Sequence, residues 1–502
     1  MNCGEMPQED QILKINSENI NSLKQRTVIA LFWKLFERGG GMAVQLIVQI
    51  VLARLLAPEQ FGLLAIMLVF INVGNTIVVS GLNTALVQSE TASNKDCSTV
   101  FWLSSSISLV LYIAVFFAAP AISQFYGSAD LVWPLRVLGL VLIINAYNSV
   151  QVAIVQRRLE FKKVFYSSIS SVVVSGTIGI VLAVLGAGLW ALVAQQIFYQ
   201  LISCLVLAFQ VSWKPSLVFD LKRTRELFGF GWKLLVSGLL DVGYQSLSDL
   251  IIGKQFSTAS LGLVSQGKKY PAAVGGILDG AIQSVMLSAV SHVQSDVEQV
   301  KRLVRRALKT STYLIMPAMV MFASTAQSLV LVLLGEQWLP CVWFMQVYCF
   351  VYAMLPIHTS NLQALNGMGR SDLFLKLELI KKSYGIVFIL LTALVLQDIY
   401  AMVASYLLTG VIGTFVNAYP NKKVIGYSYS EQLKDIFPAF ILTIVAAACA
   451  WPFSLLSMPP LVTIAIQALV MTVVYLALSK LFHVEAFEYL LATVKGFMRS
   501  RG

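Results

Sequence analysis

Charge is scarce in this sequence: Asp, Glu, Lys and Arg together make up 12% of its 502 residues, where a soluble globular chain carries about a quarter. With 57% hydrophobic residues and a mean hydropathy of +0.76, that shortage excludes a water-soluble domain and makes the lipid bilayer the expected solvent. Cysteine is also sparse. The six cysteines are scattered, form no CxxC pair and have no histidine at ligand spacing, which excludes a disulfide framework and predicts no metal site. No GxxxxGK[ST] phosphate loop occurs, and Gly229-Phe230-Gly231 lacks the third glycine of a dinucleotide fingerprint, so neither ATP nor a nucleotide cofactor is expected. The first 26 residues lack the basic, apolar and small-residue series of a removable signal, so the first apolar segment is expected to direct insertion.

What is abundant is long apolar runs. Crossing ~30 Å of hydrocarbon takes about 20 residues, and a scan on that basis finds about fourteen candidate spans between residues 28 and 482. The weakest is 261–291, which carries Lys268, Lys269 and Asp279. Lys and Arg collect in every second connection, a bias that places both termini in the cytoplasm. The formal charge of +11 therefore belongs to one membrane face, with no nucleic acid implied. The opposite connections, such as Gly186-Ala187-Gly188 and Gln397-Asp398, are too short for an extramembrane domain. Residues 296–309 place Val297, Val300, Leu303, Val304 and Leu308 on one helical face opposite basic groups, as expected of a segment lying on an anionic leaflet.

An internal repeat organises the spans. Trp33-Lys34-Leu35 aligns with Trp232-Lys233-Leu234 and, after a one-residue slip, Arg54 falls on Lys254 and Gly62 on Gly262. The predicted fold is an all-α integral membrane protein of two pseudo-symmetric six-helix lobes plus two C-terminal helices. Its boundaries are a tail (1–26), an N-lobe (27–211), a linker (212–228), a C-lobe (229–420), two further helices (421–483) and a second tail (484–502).

Polar stripes interrupt the apolar helices, and each costs insertion energy unless it faces a partner or a wet cavity. The first helix carries Lys34, Arg38, Gly41, Gln45 and Gln49 on one face. The second carries Asn72, Thr76 and Asn83; the seventh offers Lys233, Ser237, Asp241 and Tyr244; the eighth offers Ser265, Lys268, Ala272, Gly276, Asp279 and Gln283. On the functional reading, Lys34, Arg38, Lys233, Lys268 and Lys269 attract an anionic head group, while Gln45, Asn72 and neighbouring amides hydrogen-bond sugar hydroxyls. The bland reading has Lys34 and Arg38 snorkelling to the membrane surface. Asp241, Asp249 and Asp279 carry two open readings, as monovalent-cation or proton sites coupling transport to membrane potential or as ion-pair partners of Lys233, Lys254 and Lys268. His358 and Asn361 could touch cargo, but hydrogen bonding to a neighbouring helix is the commoner use of such residues.

Several stretches carry a family resemblance: Phe32-Trp33-Lys34, then Ala53-Arg54-Leu55-Leu56-Ala57-Pro58-Glu59-Gln60-Phe61-Gly62, Gln156-Arg157-Arg158-Leu159-Glu160-Phe161-Lys162-Lys163, and Ser248-Asp249-Leu250-Ile251-Ile252-Gly253-Lys254. Over 27–482 the chain resembles the polysaccharide transporters, or O-antigen flippases, of the multidrug/oligosaccharidyl-lipid/polysaccharide exporter superfamily, nearest the colanic-acid and teichuronic-acid exporter branch. The resemblance implies a lipid-linked oligosaccharide flippase that moves undecaprenyl-pyrophosphate-bound glycan outward by alternating access, without ATP. It also implies membrane lipids, a polysaccharide polymerase and export machinery as partners, and functional cavity cations at Lys34 and Arg38, extended less firmly to Lys268 and Lys269. A multidrug exporter would favour an acidic, aromatic cavity, and a membrane glycan polymerase or ligase would need a large external loop; a structural scaffold would leave the buried charges unexplained.

Overall fold

The computed structural model describes residues 40–79, 83, 86–87 and 93–499. Among them no strand occurs, and the chain is an all-α, multi-pass membrane protein. In chain order the helices are α1 (Gly40–Leu55), α2 (Pro58–Val79), α3 (Asn94–Tyr126), α4 (Val132–Leu138), α5 (Leu140–Arg157), α6 (Phe161–Val184), α7 (Leu189–Gln210), α8 (Leu221–Gln255) and α9 (Thr258–His292). They continue with α10 (Val297–Ser324), α11 (Ala326–Leu333), α12 (Val342–Ala353), α13 (Leu355–Gly367), α14 (Ser371–Leu390), α15 (Ile399–Ala418), α16 (Asn421–Val424), α17 (Tyr429–Ala450), α18 (Pro460–Leu481) and α19 (Glu485–Arg499). The chain divides into two units, one up to Gly262 and one from Leu263.

Local chemistry accounts for where these helices start and stop. At the head of α3, Ser93 Oγ accepts from the Asp96 N–H at 3.3 Å while the Ser93 N–H donates to Asp96 Oδ2 at 2.8 Å, a reciprocal cap. The helix then runs 33 residues, ~50 Å, through Pro120 to Gly127 at φ 68°. Ser428 and Glu431 repeat the capping box at α17. The connection between α6 and α7 closes through Gly186 at φ 79° and Gly188 at φ 56°, a conformation that side chains resist.

Among the described residues 10 helical stretches are long and apolar enough to span a membrane, and 11 if α10 and α11, bent by 66° at Thr325, form one span. The difference from about fourteen has identifiable sources. Residues 28–39 of the first expected span lie outside the described residues. Both α8 and α9 are 35 residues long, and with Asp241, Asp249 and Lys254 in one and Lys268, Lys269 and Asp279 in the other they are not among the ten. The stretch 296–309 is also different from expectation. It is the opening of the unbroken α10, and Val300, Val304 and Leu308 are buried within the protein, where tertiary packing takes the apolar face that a leaflet would have covered.

The two glycines that the repeat aligns lie at one crossing. In the first unit the start of α2 crosses the start of α9 at the aligned glycines: a Cβ on Gly62 would run into the Thr258 carbonyl, and one on Gly262 into the Pro58 carbonyl. Only glycine allows the two backbones to approach this closely.

Candidate substrate pocket

The first unit holds a cavity of about 500 Å³ walled by α2, α5 and α8. From α2 come Asn72, Asn75 and Thr76, the latter two lying three and four residues after the first and so sharing its face, and Asn83 joins them. From α5 come Asn145, Asn148 and Ser149, again at helical spacing, and from α8 come Gln245 and Ser246. Val79, Val152 and Val242 supply apolar surface between them. Among the described residues, none that lines it is ionisable.

The polar atoms are held but not used up. Asn145 Nδ2 donates to Asn75 Oδ1 at 2.7 Å, joining the α5 and α2 walls, and the Thr76 hydroxyl returns to the Asn72 carbonyl at 2.8 Å. Gln245 Nε2 donates to Asp241 Oδ2 at 2.8 Å, one turn back along α8. Asn83 Oδ1 and Asn148 Oδ1 are buried and have no hydrogen-bond partner among the described residues. A buried amide oxygen without a partner costs about 1–3 kcal/mol, a cost that a ligand hydroxyl would relieve. Each primary amide carries two donors and an acceptor, so the wall suits a ligand dense in neutral hydroxyls better than a cation or a purely apolar drug.

Of the sequence-predicted residues, the structure brings Asn72, Thr76 and Asn83 to this pocket, and Asp241 reaches it through Gln245. Gln45 is exposed on α1, while its neighbour Gln49 is buried and donates to Gln195 Oε1 at 3.1 Å. Lys34 and Arg38 lie outside the described residues. Lys233 falls within α8, but its side chain is also outside the described part. Lys268 and Lys269 are half-buried on α9 in the second unit. Asp249 is half-buried on α8, and Asp279 accepts a hydrogen bond from the Thr359 hydroxyl of α13. Among the described residues Asp279 and Lys268 form no ion pair with each other.

Sequence reasoning missed Asn75, Asn145 and Asn148. Their signal was present, since Asn145 and Asn148 are amides three residues apart inside an apolar run and insertion disfavours such groups without a use. His358 and Asn361 follow the bland reading. His358 Nδ1 lies 3.0 Å from Asn417 Nδ2 of α15, and Asn361 exchanges hydrogen bonds with Gln432 of α17 at 2.8 and 2.9 Å while accepting from Asn421 at 2.6 Å.

Residues 51–343 match the model of a family described as polysaccharide biosynthesis protein. Similar proteins include succinoglycan biosynthesis transport protein ExoT of Rhizobium meliloti (strain 1021), 25% identical over 307 residues, 61% of this chain and 62% of that protein, which is under two thirds of its length. Lipopolysaccharide biosynthesis protein WzxC of Escherichia coli (strain K12) is 22% identical across 84% of this chain and 86% of its own length. Teichuronic acid biosynthesis protein TuaB of Bacillus subtilis (strain 168) is 21% identical across 75% and 78%. Among solved structures, the lipid II flippase MurJ in an inward closed conformation superposes with a TM-score of 0.73 at 15% identity, covering 91% of this chain and 99% of that one. An inward-facing multidrug resistance MATE family transporter gives 0.57 at 15% identity, covering 76% and 95%. At such identity the likeness is one of fold.

Proposed function

The chain belongs to the polysaccharide biosynthesis protein family, and from that premise we propose that it is a transporter, a flippase that carries a lipid-linked oligosaccharide across the bacterial plasma membrane, with both termini cytoplasmic. The observation that carries this reading is the uncharged, amide-rich pocket of α2, α5 and α8. Membrane helices exclude polar groups unless these are paired or face a wet cavity, and neutral amides around an open volume match the hydroxyls of a glycan. The names of the relatives, a succinoglycan transport protein and proteins of lipopolysaccharide and teichuronic acid biosynthesis, favour the same substrate class.

In mechanism, the sugar units hydrogen-bond to Asn72, Asn145, Asn148 and Gln245, the undecaprenyl tail stays in lipid, and the pyrophosphate pairs with Lys34, Arg38, Lys233, Lys268 and Lys269. The two halves of the repeat open the site to one side and then the other, which needs no covalent chemistry and assigns no catalytic residue. Asp241, Asp249 and Asp279 are the candidates for coupling this cycle to a proton or monovalent cation, with Asp241 favoured because it holds Gln245 at the pocket. The glycan joins exopolysaccharide, capsule or O-antigen assembly through a polymerase and export machinery on the far side.

The test is flux of a labelled undecaprenyl-pyrophosphate oligosaccharide across proteoliposomes holding oriented, purified protein, with and without an imposed membrane potential. Translocation that depends on the protein is the expected result, and stimulation by the potential would add charge coupling. Folded protein that moves a cationic drug but no lipid-linked glycan would shift the assignment to a multidrug exporter.

A further inference from the structure

The second unit contains an apolar groove of about 390 Å³ between α9, α10 and α19, distinct from the substrate pocket. Its walls are Ile282 and Met286 of α9 and Leu303, Leu314 and Ile315 of α10, with Thr310 among them. One charged side chain, Arg306, stands on its rim, and the guanidinium carbon lies 5.0 Å from the ring centroid of Tyr489 of α19. That stacking holds the cation beside the groove while leaving its N–H donors free to bond.

The basic residues of this part of α10 divide into two rows. Lys301, Arg305 and Lys309, four residues apart, are neutralised: Lys301 pairs with Glu431 at 3.3 Å, Arg305 makes two bonds to Asp435 at 2.7 and 2.8 Å, and Lys309 meets Asp435 at 3.2 Å and Glu485 at 2.5 Å. Arg302 and Arg306, also four apart, form the adjacent row. Both are exposed, and neither has a carboxylate partner among the described residues. Acidic groups were thus supplied to one row and withheld from the row that borders the groove. Thr310, one turn beyond Arg306, has a buried hydroxyl without a partner among the described residues.

We propose that this groove binds an anionic phospholipid, with one acyl chain against the α9 and α10 walls and the phosphate bridging Arg302 and Arg306. The charge complementarity chooses the occupant. Two guanidiniums without carboxylate partners among the described residues, Arg306 on the rim of the apolar slot and Arg302 one helical turn before it, match a phosphate joined to a hydrocarbon chain, and the Thr310 hydroxyl would meet a polar atom of the lipid backbone. A peptide would leave its backbone amides unpaired against the same walls. The site ties α9, α10 and α19 to the lipid composition of the surrounding leaflet.

The experiment is native mass spectrometry of the full chain in detergent, titrated with dioleoyl phosphatidylglycerol or dioleoyl phosphatidylcholine. The phosphatidylglycerol adduct should survive preferentially. The double variant Arg302→Gln/Arg306→Gln should weaken it roughly thirtyfold, taking about 1 kcal/mol for each basic group. Ala307→Phe, which fills the groove, should lower retention of both lipids, and Lys422→Gln should change neither. Equal retention of the two lipids by the unaltered protein would overturn the proposal, as would full phosphatidylglycerol affinity in a folded double variant. Should a variant lower the thermal midpoint, the lipid preference of the unaltered chain decides. Displacement of phosphatidylglycerol by an equal concentration of undecaprenyl diphosphate, lost in the double variant, would assign the groove to cargo and also overturn it.

Discussion

Asparagine and glutamine cluster twice in this protein, once around the α2, α5 and α8 pocket and once among α13, α16 and α17, and the two clusters use the same chemistry in opposite ways. In the second, Asn361, Asn421 and Gln432 are at most 1% exposed and bond chiefly to one another around no open volume, with Asn421 Oδ1 the acceptor of the three left without a partner among the described residues. In the first, Asn72 and Gln245 are exposed and Asn75 and Asn145 half-buried, all around an open volume, and Asn148 presents a buried oxygen with no partner among the described residues. A closed network spends most of its donors and acceptors on joining helices, while one around an open volume keeps them within reach of a ligand. The same residue type therefore reads as a staple in one place and as a binding surface in the other, and the geometry of the partners distinguishes the two.

The sharpest way to break this contrast is Asn361→Leu. It removes the side-chain partner of Gln432 and Asn421 at once, leaving Gln432 Oε1 without its donor and Asn421 with only the main-chain carbonyl of position 361, which should cost roughly 2–4 kcal/mol, read as a lower thermal midpoint of the purified protein. An unchanged midpoint would mean that the second cluster is no staple. Next in size is the pocket double variant Asn145→Ala/Asn148→Ala. Losing two hydrogen bonds to substrate should reduce glycan flux by roughly five- to a hundredfold, with little change in midpoint beyond the loss of the Asn145–Asn75 bond. The smallest change is expected from Asp241→Asn, which keeps an acceptor for Gln245 while removing the charge. Flux without a membrane potential should alter by about twofold or less. If the response to an imposed potential disappears in this variant, Asp241 is a coupling site as well as the support of Gln245.

Much of the scaffold was legible in the chain because membrane insertion writes itself into composition. Long apolar runs marked the spans, and the repeat pointed to α8 and α9 as spans even though the charges within them keep them from standing out as apolar. The aligned pair Gly62 and Gly262 was legible as a match, and the crossing of α2 and α9 gives its physical reason. The site was legible in part. A polar stripe on one helix shows that a face is special but not what stands opposite, so Asn72, Thr76 and Asn83 were recoverable while Asn75, Asn145, Gln245 and Ser246 required packing. For the same reason the apolar face of 296–309 was read as lipid-facing, although Val300, Val304 and Leu308 are buried by neighbouring helices. Periodicity reports that a face avoids water, and lipid and protein satisfy it equally.

The central claim, that neutral amides of the first unit hold the glycan, is tested most directly by proteoliposome flux of the lipid-linked oligosaccharide through Asn145→Ala/Asn148→Ala over a range of substrate concentrations. The account predicts a raised half-saturating concentration, with the variant as folded as the unaltered chain by its thermal midpoint. Half-saturation and maximal flux both equal to those of the unaltered protein would contradict it.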